Sequence, residues 1–176
     1  MRVRRIFSTE GPGLRAIRLR ALVESPSAFS STLEREQAFD DALWADRALA
    51  SSEGNTVATF VVEGSLGHGW LGLVTVLGPT HEAASDSTSA ELVSMWIAPE
   101  ARGQGLGKKL VATAVEFASA IGALTLRLAV TSSNTPARQL YERLGFLPTV
   151  EERYETSHPC HGEIQMHLSL LGMPAR

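Results

Sequence analysis

The sequence has 176 residues, and its 16 basic and 19 acidic side chains give a formal net charge of −3. This near balance, without a basic block that could follow a phosphate backbone, argues against nucleic acid as a partner. A domain near this length buries roughly 70% of its unfolded surface, so we expect a single domain over residues 1–176 that needs no disulfide.

The chain also carries little sign of export or of membrane insertion. Its single cysteine, Cys160, cannot form an internal disulfide, and the basic start MRVRR is followed by polar residues where a secretory signal needs an apolar stretch. No apolar run approaches the ~20 residues that a membrane helix requires. We therefore expect a soluble protein of the reducing cytoplasm, with no membrane partner.

The first half of the chain predicts a strand, two helices and a hairpin. The segment RVRRIF (2–7) alternates like a strand, and turn and cap residues after it start a helix over about 11–24. Residues 31–50 predict a second, partly exposed helix with many acidic side chains. Residues 55–64 and 69–78 are rich in β-branched residues and are separated by a turn-forming segment, which predicts a hairpin.

The second half alternates strands and helices. The predicted elements are a strand over 91–98, a helix to about residue 121, a strand over 123–131, a helix over 136–144, and strands over 146–155 and 163–170. The order β-α-α-β-β-β-α-β-α-β-β indicates the α/β (α+β) class. Its central strand-helix-strand unit implies one parallel pair, and the flanking hairpins imply antiparallel pairs, so the predicted sheet is mixed and mostly antiparallel.

The stretch MWIAPEARGQGLGKKL joins a predicted strand to a predicted helix and has glycines at positions 103, 105 and 107. A helix start offers unpaired N–H groups and partial positive charge, which favour an anion by ~0.3–2 kcal/mol. Glycines remove obstructing side chains and permit the positive φ angles that turn N–H groups to one point. Lys108 and Lys109 oppose the helix dipole, and Arg102 adds a third cation, so a bound phosphate is the expected ligand.

Two familiar nucleotide loops do not fit this stretch. A dinucleotide fingerprint needs a sixth-position glycine where Lys108 stands, and the phosphate loop of nucleotide triphosphatases needs glycine at 102 and Ser or Thr at 109. The alternative without a ligand is a tight turn that packs a helix on a sheet. Three glycines flanked by three cations favour the phosphate-binding interpretation.

At this point the sequence resembles a known family. RGQGLG after an apolar strand is similar to the acetyl-CoA pyrophosphate motif [QR]-x-x-G-x-[GA] of the GNAT superfamily of acyl-CoA-dependent N-acetyltransferases. A second motif, Asn134-x-x-Ala137-x-x-Leu140-Tyr141-x-x-x-Gly145-Phe146, stands at the spacing expected in that superfamily. The two motifs cover residues 91–146. The resemblance implies a GNAT-like sheet with splayed central strands and acetyl-CoA as cosubstrate.

The resemblance also implies roles for individual residues in holding coenzyme A. The backbone N–H groups that would bind its pyrophosphate are those of Arg102, Gly103, Gln104, Gly105, Leu106, Gly107 and Lys108. Main-chain groups of Met95, Trp96 and Ile97 would pair with the pantetheine arm, and a bulge in their strand would aim one N–H at the thioester oxygen. Asn134 would hold the arm through its side-chain amide, or would start a helix ahead of Pro136; the two roles are compatible.

Tyr141 and Glu91 are the candidate catalytic residues by the same resemblance. Tyr141 would give a proton to the departing thiolate, and its alternative role is half-buried packing. Glu91 would accept the proton of the attacking amine, and its alternative role is a solvated carboxylate at a strand end. Relatives that act on protein N-termini carry a glutamate five residues before the motif asparagine, where this chain has Ala129, which argues against that acceptor.

The remaining features are weaker. His158, Cys160 and His161 lie close together, but their spacing matches no standard zinc site, so we expect no metal. We expect the three tryptophans to pack in the core or at edges. The acidic second helix fits a cationic acceptor, since that region borders the acceptor site in the superfamily.

The predicted function is an N-acetyltransferase that moves the acetyl group from acetyl-CoA directly to a primary amine on a small molecule or peptide. The alternative is a non-catalytic acyl-CoA sensor or regulatory module of the same fold. The sequence leaves open the acceptor and whether the chain forms a homodimer.

Overall fold

A computed structural model describes residues 1–64, 69–82, 87–149 and 162–172. Seven strands form its single sheet: β1 (Arg2–Arg5), β2 (Val57–Glu63), β3 (Trp70–Leu77), β4 (Ser89–Ile97), β5 (Thr125–Thr131), β6 (Leu147–Pro148) and β7 (Glu163–Ser169). Their order across the sheet is β1-β2-β3-β4-β5-β7-β6. From residue 150 onward, the predicted strand over 146–155 lies outside the described residues.

The described residues also form five α-helices: α1 (Gly11–Glu24), α2 (Leu33–Gln37), α3 (Asp41–Ser52), α4 (Leu106–Ala120) and α5 (Thr135–Arg143). α1 and α3 pack on each other, and α3 and α4 both pack on β2. No helix in the described ranges is long and apolar enough to cross a membrane.

The sheet topology confirms the predicted mixture of pairings. β4 and β5, joined through α4, form the single parallel pair among the described strands, and the other neighbouring strands pair antiparallel. α4 reaches the core through one apolar face, whose buried residues are Leu106, Leu110, Val111, Ala114 and Ala118. Because α4 begins where the chain leaves β4, its start lies at the carboxyl end of the parallel pair, the usual place for a ligand in such sheets.

The predicted second helix over 31–50 is wrong in one respect, because it is two helices. Thr32 caps α2 by accepting a hydrogen bond from the Arg35 N–H at 3.2 Å, and Asp40 caps α3 by accepting one from the Leu43 N–H at 2.8 Å. An oxygen-bearing cap side chain satisfies a helix's first N–H groups, so a second cap within the segment begins a new helix. The observed order therefore has three helices between β1 and β2.

The expected packing of the tryptophans is confirmed. Trp44 of α3 and Trp96 of β4 are buried, and Trp70 of β3 is half-buried against the core. None of the three forms an exposed aromatic surface.

Candidate active site

The two central strands part after three paired positions. β4 pairs with β5 from Ser89 to Glu91, opposite Thr125 to Arg127, and the pairing ends there although both strands continue. The carboxyl ends of β4 and β5 therefore diverge, as the predicted splay requires.

β4 also bulges at the point where it lines the gap. Its register against β3 slips between Val93 and Trp96, so Ser94 and Met95 together lie opposite one residue of β3. Ser94 has φ 57°, the one positive φ of a non-glycine residue in the described ranges. This conformation costs roughly 1–2 kcal/mol for an L residue, so the surrounding structure must hold it. A bulge leaves a residue out of the ladder, which makes a backbone N–H available to a ligand.

A cavity of about 750 Å³ occupies the gap between the diverging strands. This volume lies within the ~300–1,000 Å³ typical of small-molecule sites. The predicted site residues that line it are Met95, Trp96, Ile97, Arg102, Gly103, Gly105, Leu106, Gly107, Lys108, Asn134 and Tyr141. Both sequence motifs therefore meet on one cavity.

The glycine loop uses its three glycines in two different ways. Gly103 and Gly105 have φ of 75° and 74°, and Gly105 caps α4 without a side-chain hydrogen bond. The first N–H groups of α4 thus have no side-chain acceptor at the cap. Gly107 lies within the helix, where an added Cβ would come within 3.1 Å of the Leu140 side chain. The expectation that all three glycines supply positive φ is therefore wrong for Gly107, which instead permits close approach of α5 to α4.

Gln104 closes the loop without lining the cavity. Its side-chain amide donates to the carbonyl oxygen of Glu100 at 3.2 Å. Its expected contribution to ligand binding rests on its backbone N–H alone.

Arg102, expected as a third cation of the glycine loop, already has partners within the protein. Its Nη2 donates to Oε2 of Glu24 at 2.6 Å, and its Nε donates to the carbonyl oxygen of Ile97 at 3.0 Å. The carboxylate of Glu24, at the end of α1, therefore already compensates part of the charge of Arg102.

Glu24 is the residue that the sequence analysis missed at this position. Its Oε2 also accepts hydrogen bonds from the Trp96 indole at 2.9 Å and from the Ser25 hydroxyl. The hydrogen bonds of Arg102, Ser25 and Trp96 lower the pKa of Glu24 to about 2. Glu24 also lines a smaller cavity of about 260 Å³, which shares four lining residues with the larger one. No local pattern announces this contact, because 78 positions separate Glu24 from Arg102.

Arg143, in the last turn of α5, is a second cavity residue that the sequence analysis missed. Its Nε donates to the carbonyl oxygen of Gln139 at 2.9 Å, and its Nη atoms make no hydrogen bond to a described residue. The sequence did contain a signal for this residue, because Arg143 is a cation inside the second motif. Arg143 and Lys108 give the cavity two cations on different helices.

Asn134 takes up the role of helix start. It is the N-cap of α5, and its Oδ1 accepts a hydrogen bond from the Ala137 N–H at 3.3 Å. Its side-chain N–H₂ donates to no described residue, and the residue lines the cavity. The cap therefore leaves the amide donors available to a ligand.

Tyr141 lies on α5 with 5% of its surface exposed, and it lines the cavity. Its ring packs edge-on against Phe146, with centroids 5.7 Å apart and planes at 61°. Burial raises the pKa of its hydroxyl above the ordinary value, so the phenol stays protonated. Its hydroxyl makes no hydrogen bond to a described residue. The ring is thus buried rather than half-buried as the packing alternative expected, and its contact with Phe146 holds a neutral phenol at the cavity wall.

Comparison with known proteins decides the family. A model described as the acetyltransferase (GNAT) family matches residues 19–146, which include both motifs and most of the chain. The chain belongs to the GNAT acetyltransferase family.

Solved structures show the same fold. An acetyltransferase of the GNAT family from Streptococcus pneumoniae is 19% identical, with TM-score 0.79 over 96% of this chain and 98% of that one. YncA, a putative acetyltransferase from Salmonella typhimurium with its cofactor acetyl-CoA, is 18% identical, with TM-score 0.74 over 100% and 97%.

Among curated proteins, the mycothiol acetyltransferase of Pseudarthrobacter chlorophenolicus is 37% identical over 81 residues, which cover 46% of this chain and 23% of that relative. The chain spans less than half the length of the curated relatives it matches.

Glu91, the candidate base, is not among the residues of the larger cavity. It is half-buried in the paired part of β4, it has an interaction partner, and it does not line either cavity. Ala129, in contrast, lines the larger cavity on β5. No carboxylate among the described residues lines the larger cavity.

The acidic residues of segment 31–50 do not form one uniformly exposed helix face. Glu36 is buried, and Asp40 caps α3, while Glu34, Asp41 and Asp46 are exposed. None of these residues lines the larger cavity.

The histidine and cysteine cluster at 158–161 lies outside the described residues. Within the described ranges, no three His, Cys, Asp or Glu side chains group as a metal site would require.

Proposed function

We propose that this protein is an N-acetyltransferase that moves the acetyl group of acetyl-CoA directly to a primary amine. One observation carries the proposal: a single cavity between splayed strands is lined both by the uncapped start of α4 and by Tyr141. The first feature suits phosphate and the second suits acid catalysis, so the cavity has what is needed to hold a coenzyme thioester and to protonate its sulfur.

Each part of coenzyme A has proposed partners among the cavity residues. The N–H groups of residues 102–108, with Lys108, would bind the pyrophosphate, because a helix start with bare backbone favours such an anion. Backbone groups from Met95 to Ile97 and the Asn134 amide would hold the pantetheine arm. The N–H set free by the bulge would bind the thioester oxygen, a type of contact whose loss typically costs ~10²–10³ in rate.

Acetyl-CoA supplies the acetyl group as a thioester. When the amine nitrogen bonds to the carbonyl carbon and the C–S bond breaks, the sulfur gains negative charge. The Tyr141 hydroxyl donates its proton to that sulfur, and solvent returns a proton to Tyr141. Because burial makes Tyr141 a weaker acid than usual, its position beside the sulfur has to supply the advantage.

The amine must lose a proton before or during attack. Since Glu91 does not line the cavity, it can act as the base only through intervening water. The acidic residues of the second helical segment do not line the cavity either, so the charge of that segment no longer favours a cationic acceptor.

The test follows free thiol while the protein turns over acetyl-CoA with a panel of primary amines. We expect Tyr141→Phe, which keeps the ring contact with Phe146, to lower kcat about 100-fold because a general acid contributes ~10²–10⁴. The affinity for acetyl-CoA, measured by calorimetry, should stay unchanged, since the phosphates bind at the other end of the cavity.

Two outcomes would contradict parts of this proposal. Thiol release that is unaffected by Tyr141→Phe would exclude the acid role of Tyr141. Tight binding of acetyl-CoA without turnover on any amine would instead favour the non-catalytic sensor module, for which the absence of a cavity carboxylate among the described residues is the supporting observation.

A further inference from the structure

Arg18 and Glu36 form a buried ion pair next to residues that line the larger cavity, and the proposed reaction does not use either side chain. Glu36 of α2 is 3% exposed, and Arg18 of α1 donates to its carboxylate from Nε at 3.0 and 3.1 Å and from Nη2 at 2.8 Å. Arg47 of α3 adds a weaker contact at 3.8 Å. Burial opposes ionisation of Glu36, but the hydrogen bonds and charge of Arg18 outweigh it and lower its pKa. Such a pair is weak evidence for stability, because removing two charges from water is costly.

The other side of the Arg18 guanidinium contacts the cavity wall. Its Nη1 donates to the Ser94 hydroxyl at 3.4 Å, and the guanidinium lies over the Phe29 ring, 4.5 Å from its centroid. Ser94 and Phe29 line the larger cavity, whereas Arg18 does not. Arg18 therefore supports the wall from behind and does not touch a ligand in the cavity.

Ser94 is a residue that needs such support. It holds a left-handed φ of 57° in the bulge of β4. A serine in this conformation persists when its surroundings hold it, and sites of this kind cluster where geometry matters for function. Among the described residues, Arg18 makes the one side-chain hydrogen bond to the Ser94 hydroxyl.

We propose that Arg18, clamped by Glu36, is a positioning residue that holds Ser94 and with it the bulge whose N–H meets the thioester oxygen. This inference rests on the proposed function. The position of this donor matters, because misplacement of a catalytic group by about 1 Å can cost ~100-fold in rate. Glu36 acts by keeping the guanidinium in one orientation, which a two-pronged ion pair does better than a single contact.

The experiment is a double-mutant cycle on kcat. Arg18→Lys keeps a charge for Glu36, but an ammonium cannot span Glu36 and Ser94 as the guanidinium does. Ser94→Ala removes the hydroxyl and leaves the strained backbone. We expect each to lower kcat about tenfold and the double variant to lose about tenfold as well, because both remove one link.

Two further variants separate positioning from general damage. Ser94→Gly should have a kcat at least about threefold above that of Ser94→Ala, because glycine adopts this φ without support. Arg47→Lys is the matched control: Arg47 also pairs with Glu36 but makes no hydrogen bond to Ser94, so we expect kcat within about twofold of wild type. The acetyl-CoA affinity, measured by calorimetry, should be unchanged in all variants.

Losses that multiply in the double variant, or equal losses in Ser94→Ala and Ser94→Gly, would overturn the inference. So would unchanged kcat in both single variants of a wild type that turns over. If Arg18→Lys does not fold, the kcat values of Ser94→Ala and Ser94→Gly test the inference by themselves, since both variants leave the Arg18–Glu36 ion pair intact. A wild type without turnover on any amine would overturn the proposed function and this inference together.

Discussion

Arg138 and Arg143 lie on the same helix, but only Arg143 lines the larger cavity. Arg138 is engaged by Glu142 at 3.8 Å and donates to the Ser132 carbonyl oxygen at 3.3 Å. The Nη atoms of Arg143 make no hydrogen bond to a described residue. Coenzyme A carries a phosphate on its ribose in addition to the pyrophosphate, and guanidinium groups bind phosphate through paired hydrogen bonds. Arg143 is therefore the expected partner of the ribose phosphate.

We predict that Arg143→Gln raises KM for acetyl-CoA about tenfold, because a hydrogen bond to a charged group contributes ~1.5–3 kcal/mol. With acetyl-dephospho-CoA, which lacks the ribose phosphate, the same substitution should have no effect. Steady-state kinetics with both donors measure this. Arg138→Gln is the control, and a similar rise in that variant, or equal effects on both donors, would exclude the assignment.

At the scale of elements, α4 has a left-handed glycine at each end. Gly105 precedes its first turn with φ 74°, and Gly122 follows its last turn with φ 85°. An added Cβ meets no atom within 4 Å at either position, so substitution there tests the backbone alone. Only Gly105 belongs to the cavity.

We predict that Gly105→Ala and Gly122→Ala each lower the free energy of unfolding by ~1–2 kcal/mol, the cost of a left-handed L residue. Only Gly105→Ala should also raise KM for acetyl-CoA, because its conformation directs the first N–H groups of α4. Urea unfolding and steady-state kinetics give the two values. A coenzyme defect in Gly122→Ala of the same size would show that the loss is general and does not arise at the loop.

The elements themselves were largely predictable from local patterns. α1 begins and ends where predicted, at Gly11 and Glu24, because a turn precedes it and Ser-Pro follows it. The split between α2 and α3 was missed because the local sequence around Asp40 fits two positions equally well, an exposed helix face and a helix N-cap. In the structure Asp40 is a cap, because its side chain accepts the Leu43 N–H and begins α3.

At the scale of the whole molecule, Glu24 ties three distant elements together. It ends α1, pairs with Arg102 before α4, and accepts the indole N–H of Trp96 on β4. Its folded-state pKa of about 2 lies below the ordinary value of 4.5. A depressed carboxyl pKa contributes stability that is fully present above the unfolded value and is lost as pH falls toward the folded value.

We predict that Glu24→Gln lowers the free energy of unfolding at pH 7 by roughly 1 kcal/mol or less, since the side chain is partly exposed and solvent screens the pair. The difference from wild type should shrink as pH falls from about 4.5 toward 2, because both proteins then carry a neutral group there. Urea unfolding across this range measures it. A difference that stays constant down to pH 3 would contradict the assigned pKa.

The sequence by itself determined the α/β class, the order of the elements apart from the split between α2 and α3, and the two motifs that meet at the cavity. The elements follow from periodicity and from cap and turn residues, and the resemblance of the two motifs to GNAT sequences indicated the family; all of these signals are local in the sequence. Only the tertiary structure decided that Glu24 engages Arg102, that Arg18 reaches Ser94, and that Glu91 lies outside the cavity. Contacts between residues 78 and 76 positions apart depend on how elements pack, and no local pattern encodes that distance.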